Sequence, residues 1–151
     1  MSFELRHGDY LVSDDPARLD RAAIHAYLNR TSYWAKGIPR EIVDRSLDHS
    51  LCLGVYTSTG EQVGLARVIT DFATYGWLCD VFVLETHRRH GLGKALVRAV
   101  LDHPRLQTVR RLALGTQDAH GLYSQFGFTP LPHPETHMER RNPAAPRLYQ
   151  R

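Results

Sequence analysis

The chain has 151 residues, 42% hydrophobic and 23% charged, a composition that fits one globular domain and excludes intrinsically disordered, collagen-like and disulfide-scaffold classes. Nineteen Lys and Arg against sixteen acidic residues give a net charge of +3. That mild excess suits an anionic small ligand and falls short of a nucleic-acid-binding surface. No apolar run reaches the roughly 18 residues needed to span a bilayer, and the start, Met1 to Arg6, lacks the apolar core of a signal peptide. The expected setting is the cytoplasm, with neither membrane nor nucleic acid as partner.

In chain order, Asp15 as a cap, Pro16 at a first helical position and the spacing of Leu19, Ala23 and Tyr27 predict a helix over 16–28. A loop over 29–38 carries Tyr33, Trp34 and Lys36. Pro39 opens a second helix with Ile42, Val43 and Leu47 on one face. Strands are expected over 51–56 and from Val63 to Ile69, joined by a turn at Ser58-Thr59-Gly60, and over 77–84, where Val81, Phe82 and Val83 are β-branched or aromatic. From Gly91 the period becomes helical: Leu92, Ala95, Leu96, Ala99 and Val100 form a stripe that Pro104 stops. A strand over 112–116, a short helix over 118–126 ended by Gly127, and short strands at 128–131 and 137–139 follow. Pro143 onward reads as a loose tail. A domain over 1–141 and a tail over 142–151 result, with a mixed sheet covered by helices.

The two cysteines, Cys52 and Cys79, fall in apolar strand runs and read as reduced, buried thiols. The nine histidines match no zinc-ligand spacing, so no metal is expected.

The most informative stretch runs from Leu78 to Ala95: a strand, a basic turn with glycines, then a helix. Glycines let backbone approach a ligand, and the free amides of a helix's first turn attract phosphate. Arg88, Arg89 and Lys94 add positive charge. A dinucleotide fingerprint fails because Leu96 stands where a third glycine belongs. A phosphate-binding Walker loop fails because Arg88 replaces its first glycine and Ala95 follows Lys94. Arg88-x-x-Gly91-x-Gly93 instead resembles the coenzyme A loop of the GNAT superfamily of N-acetyltransferases. Downstream, Ala119-His120-Gly121-Leu122-Tyr123-Ser124-Gln125-Phe126-Gly127-Phe128 resembles the family's later Ala-x-x-Leu/Phe-Tyr-x-x-x-Gly-Phe signature. The resemblance extends from the Pro16 helix to about Met138. Two positions depart from the family pattern. Glu85 stands where a proline is common. Thr116 or Asp118 stands where an asparagine often precedes the short helix.

The resemblance implies a mixed α/β (α+β) fold: a mostly antiparallel sheet, helices on both faces and a central parallel strand–helix–strand unit. It implies acetyl-coenzyme A as co-substrate and no metal. The acceptor would be a primary amine of a small molecule or a protein, attacked directly, in a monomer or homodimer. Cofactor contacts would come from Val81, Phe82 and Val83 on the strand and from Arg88, Arg89, His90, Gly91, Leu92, Gly93 and Lys94 on the turn. Tyr123 would protonate the departing thiolate. A backbone amide of Val81 or Phe82 would serve the oxyanion. For the base, Asp80 is the first candidate; a buried structural carboxylate is the alternative reading of the same residue. His120 and a water chain follow. Cys79 and Asp80 both face the cleft only if a bulge intervenes. Tyr33 and Trp34 are the expected acceptor-binding residues, with Tyr27 in the core and Arg67 or Asp71 adding polarity. A coenzyme A-binding regulatory module without turnover is the competing reading, against which Tyr123 argues.

Overall fold

The structure, a computed structural model, describes residues 1–149. Strands β1 (Glu4–His7), β2 (Tyr10–Ser13), β3 (Leu51–Tyr56), β4 (Gln62–Thr70), β5 (Tyr75–Val83) and β6 (Arg111–Leu114) form one sheet in that spatial order. All neighbours are antiparallel except β5 and β6, which run parallel and are joined across the sheet by helix α3 (Leu92–Asp102). The parallel pair lies at one edge. Helices α1 (Arg21–Ala26) and α2 (Arg40–Asp48) cover the opposite face from α3. The two hydrophobic clusters follow: Leu53, Val55, Leu96 and Val100 under α3, and Ile24, Val43, Cys52 and Phe82 under α1 and α2.

The β1–β2 hairpin was not among the expected elements. Its strands are short and only partly apolar, but Gly8-Asp9 closes a two-residue loop with Gly8 at φ 60°, the chemistry such hairpins favour. The single helix expected over 16–28 is broken. Asp15 caps only a turn, Pro16–Arg18, accepting from the Ala17 amide at 3.0 Å. The chain then extends at Leu19, and Asp20 caps a fresh start by accepting from the Ala23 amide at 3.0 Å. Aspartate favours caps over helix interiors, so a second aspartate in the run restarts the helix. Beyond Ala26 the helix widens into a π-turn, Tyr27–Thr31.

The strands expected at 128–131 and 137–139 do not form. Pro130, Pro132 and Pro134 remove donors from that segment. Helix α4 (His120–Ser124) is shorter than expected, and Gly127 ends the segment at φ 87° as a C-cap glycine should. The expected loose tail instead folds a short helix, α5 (Ala145–Leu148), and Tyr149 packs against the α1–α2 cluster. Among the described residues no helix is long and apolar enough to cross a membrane.

Two irregularities position the site. β5 pairs with β6 only from Tyr75 to Leu78, yet runs on to Val83. Past Leu78 the two strands part and leave a cleft. At the same place the β4–β5 register jumps from Arg67↔Cys79 to Leu65↔Phe82, so Ala66 faces both Asp80 and Val81. Asp80 takes a left-handed φ of 51°. This is a β-bulge, and it re-aims the Asp80 side chain.

Candidate active site

The parted strands enclose a cleft of about 610 Å³. It shares Val83, Arg88, Gly93 and Leu122 with a second groove of about 320 Å³ over the glycine turn. The two form one continuous path from the Asp80 bulge to the start of α3.

Gly91 caps α3 at φ 74° with no side-chain partner, and Arg89 takes φ 69°. The first-turn amides of α3 therefore lack intrahelical acceptors. Arg89, Gly91, Leu92, Gly93 and Lys94 line this groove. Arg88 donates Nε–H to the Val83 carbonyl at 3.1 Å and a terminal N–H to the Tyr27 hydroxyl at 3.4 Å. Leu84 donates its amide to Val63 of β4 at 2.8 Å. Backbone groups alternate along a strand, so those of Val83 face the cleft side. His90 lines neither cavity; its carbonyl accepts from His7 Nε2 at 2.6 Å. With the Tyr10 hydroxyl 2.9 Å from His87 Nδ1, this contact makes the N-terminal hairpin a buttress for the turn.

Asp80 sits at the cleft wall with both carboxylate oxygens engaged. Oδ1 accepts from Trp34 Nε1 at 2.8 Å, and Oδ2 from Arg67 Nε at 2.8 Å. Arg67 also donates to Ser50 Oγ at 2.9 Å. Burial, the largest single influence, pulls the Arg67 guanidinium down, but the Asp80 charge and hydrogen bond together with the Cys79 and Cys52 thiols outweigh it, and the net shift is upward. Arg67 lies behind Asp80 and does not line the cleft. Cys79, paired with Arg67 just before the bulge, also lines the cleft and carries a free thiol. Burial pushes that thiol up to about 12.

Tyr123 reaches the cleft from α4. It is 8% exposed, and its hydroxyl bonds to no described residue. Burial raises its pKa, with Tyr33 and Asp118 adding to the effect. The loop between α1 and α2 spans the two walls. Trp34 bonds the β5 bulge, while the Tyr33 hydroxyl accepts from the Gln117 amide, before α4, at 3.1 Å. Tyr27 is not a core residue alone: it stacks on Phe82 at 4.0 Å and lines the cleft. Trp77 and Gln117 also line the cleft, and neither was singled out from sequence. Trp77 had a signal, since it shares a strand face with Cys79; Gln117 had none. Thr116 Oγ1 accepts from the Ala119 amide at 3.1 Å and so shapes the entry to α4. His120 is exposed and off the cleft. Asp71 accepts from the Ala73 and Thr74 amides at 2.8 Å, a turn role away from the cleft. No cluster of three or more metal-ligand side chains occurs among the described residues.

A strand-edge cleft leading to a basic helix start narrows the comparison with known proteins. The acetyltransferase (GNAT) family profile matches residues 22–128. The chain belongs to this family. A candidate acetyltransferase of Gibberella zeae is 36% identical, over 78% of this chain and 77% of that protein. A mouse protein, N-acetyltransferase family 8 member 3, is 37% identical over 53% of this chain and 39% of its own. Among solved structures, a candidate GNAT-family acetyltransferase of Xanthomonas campestris pv. campestris superposes with a TM-score of 0.85 at 51% identity, covering 89% of this chain and 94% of that one. A Mycobacterium tuberculosis protein solved with CoA shares the fold at a TM-score of 0.60 and 18% identity, covering 76% and 70%. GNAT enzymes are acyltransferases that use acetyl-coenzyme A, and the present residues suit that ligand. Orphan amides and the cationic Arg88, Arg89 and Lys94 meet at the groove where its pyrophosphate would lie.

Proposed function

We propose that this protein is an N-acetyltransferase that moves an acetyl group from acetyl-coenzyme A to a primary amine by direct attack. The observation that carries the reading is the single path joining the glycine turn, the β5 bulge and the Tyr123 side chain. Bound acetyl-coenzyme A supplies the acetyl group as a thioester. The α3 amides with Arg88, Arg89 and Lys94 hold its phosphates, and the open edge of β5 from Val81 to Val83 holds its arm. The Val81 amide donates to the developing oxyanion.

Asp80 accepts an N–H of the incoming ammonium. Its two oxygens already take Trp34 and Arg67, but a carboxylate offers about four lone-pair sites. The proton passes from Asp80 to water in the cleft. Tyr123 stays protonated through neutral pH and donates to the leaving sulfur, and its phenolate takes back, through water, the second proton that the nitrogen sheds as the amide forms. With its thiol held near 12, Cys79 is protonated at neutral pH and forms no acyl intermediate.

The test is thiol release from acetyl-coenzyme A with a panel of primary amines. Amine-dependent release supports the reading. Coenzyme A binding without release for any amine would make the protein a binding module instead.

A further inference from the structure

The acceptor side of the cleft has a particular chemistry. Its walls are aromatic: Tyr27, Tyr33, Trp34 and Trp77. Its charged side chains are Asp80 and Asp118, apart from Arg88, which marks the junction with the glycine-turn groove and is tied to Val83 and Tyr27. The Asp118 carboxylate bonds to no described residue. Tyr123, 8% exposed, lines the same space, and its hydroxyl bonds to no described residue.

The aromatic floor continues outward. Trp77 pairs across the strands with Ile69, and Tyr75 lies on the same face of β5. These three are 39%, 47% and 39% exposed, in the order Trp77, Ile69, Tyr75. Isolated exposed apolar side chains need no explanation, but a contiguous strip leading out of a ligand cleft does.

From this we infer the acceptor class, resting on the N-acetyltransferase reading: a primary amine with a flat apolar body and no carboxylate or phosphate. The amine sits at Asp80 and its body lies on Trp77 and the strip beyond. Aromatic faces and carboxylates both favour a cation and disfavour an anion. An anionic group on the acceptor would meet Asp118 and Asp80, with Arg67 screened behind the latter.

The experiment compares tryptamine and 2-phenylethylamine with tryptophan and phenylalanine, which differ from them by a carboxylate. Spermidine, glucosamine and ethanolamine complete the panel, all at saturating acetyl-coenzyme A. Each arylalkylamine is expected to exceed its amino acid in kcat/KM by at least about tenfold. Asp118→Asn should narrow that ratio. Trp77→Ala should raise KM for tryptamine about three- to tenfold, the range of a lost aromatic contact, and leave KM for ethanolamine within about twofold. Amino acids matching or exceeding the arylalkylamines, or spermidine or glucosamine outpacing them, overturn the inference and leave the transferase reading standing. An unchanged tryptamine KM in Trp77→Ala, with a dimer converted to monomer in sedimentation, makes the strip an interface between copies and also overturns it. No turnover with any amine, with coenzyme A still bound, removes both readings together.

Discussion

The Trp34 indole N–H lies 2.8 Å from Asp80 Oδ1, 46 residues along the chain. This bond fastens the loop between α1 and α2 to the bulge in β5. Trp34 therefore does more than wall the cleft: it fixes the carboxylate proposed to receive the amine. Trp34→Phe keeps an aromatic ring and removes the donor. The expected loss is about 1.5–3 kcal/mol of stability, the range for a hydrogen bond to a charged group. A several-fold fall in kcat/KM with unchanged coenzyme A affinity should accompany it. Chemical denaturation, steady-state kinetics and calorimetry read the three quantities.

Tyr123→Phe removes the proposed proton donor. General acids contribute about 10²–10⁴-fold, and water can substitute in part, so kcat should fall at least about tenfold while cofactor binding changes little. The pH profile carries a second signature. Burial raises the Tyr123 pKa, so any alkaline decline of the wild-type rate from Tyr123 ionisation should come at higher pH than for an ordinary phenol. Rate measured against pH in both forms checks this.

Burial pushes Cys79 up to about 12 and Cys52 up to about 11, above the usual thiol value of about 8.5. Cys79→Ala should keep kcat within about twofold if no acyl-cysteine forms. The same shifts set a stability window. Below the unfolded thiol pKa both states hold their protons, and the contribution is fully present. As pH rises from about 8.5 toward 11, only the folded state keeps them, and stability falls. Thermal unfolding across that range should show the decline, and the Cys52→Ala, Cys79→Ala double variant should show less of it.

Gly91 and Gly93 should separate folding from binding. Gly91 needs its left-handed φ of 74°, and an added Cβ would stand 3.1 Å from His7 Nε2. Gly91→Ala should cost about 1–2 kcal/mol of stability. An added Cβ at Gly93 meets only Leu122 Cδ2, at an ordinary 3.5 Å, and alanine favours the helix by up to about 1 kcal/mol. Gly93→Ala should therefore leave the melting temperature unchanged or raised, yet weaken coenzyme A by at least about tenfold as its methyl enters the groove. Unchanged affinity there would move the cofactor off the turn.

The strand–turn–helix from β5 through α3 was legible because Val81 to Val83, Gly91 and the Leu92–Val100 stripe carry local signals of strand, turn and helix. Tyr123 and Gly127 were legible for the same reason. The β1–β2 hairpin was not read, since two of its strand residues face solvent and only Gly8-Asp9 marks it. The Asp20 restart was hidden because Leu19, Ala23 and Tyr27 keep helical spacing across the break. The bulge at Asp80 depends on cross-strand register, which no local pattern encodes. So does the Tyr33–Gln117 bond, which joins residues 84 apart.

The most direct test follows a deuterated acetyl group from acetyl-coenzyme A by mass spectrometry. The account predicts the label on the amine nitrogen of the acceptor, one coenzyme A thiol released per amide formed, and no label on the protein. Label retained on Cys79, or recovered as free acetate whatever amine is supplied, would contradict it.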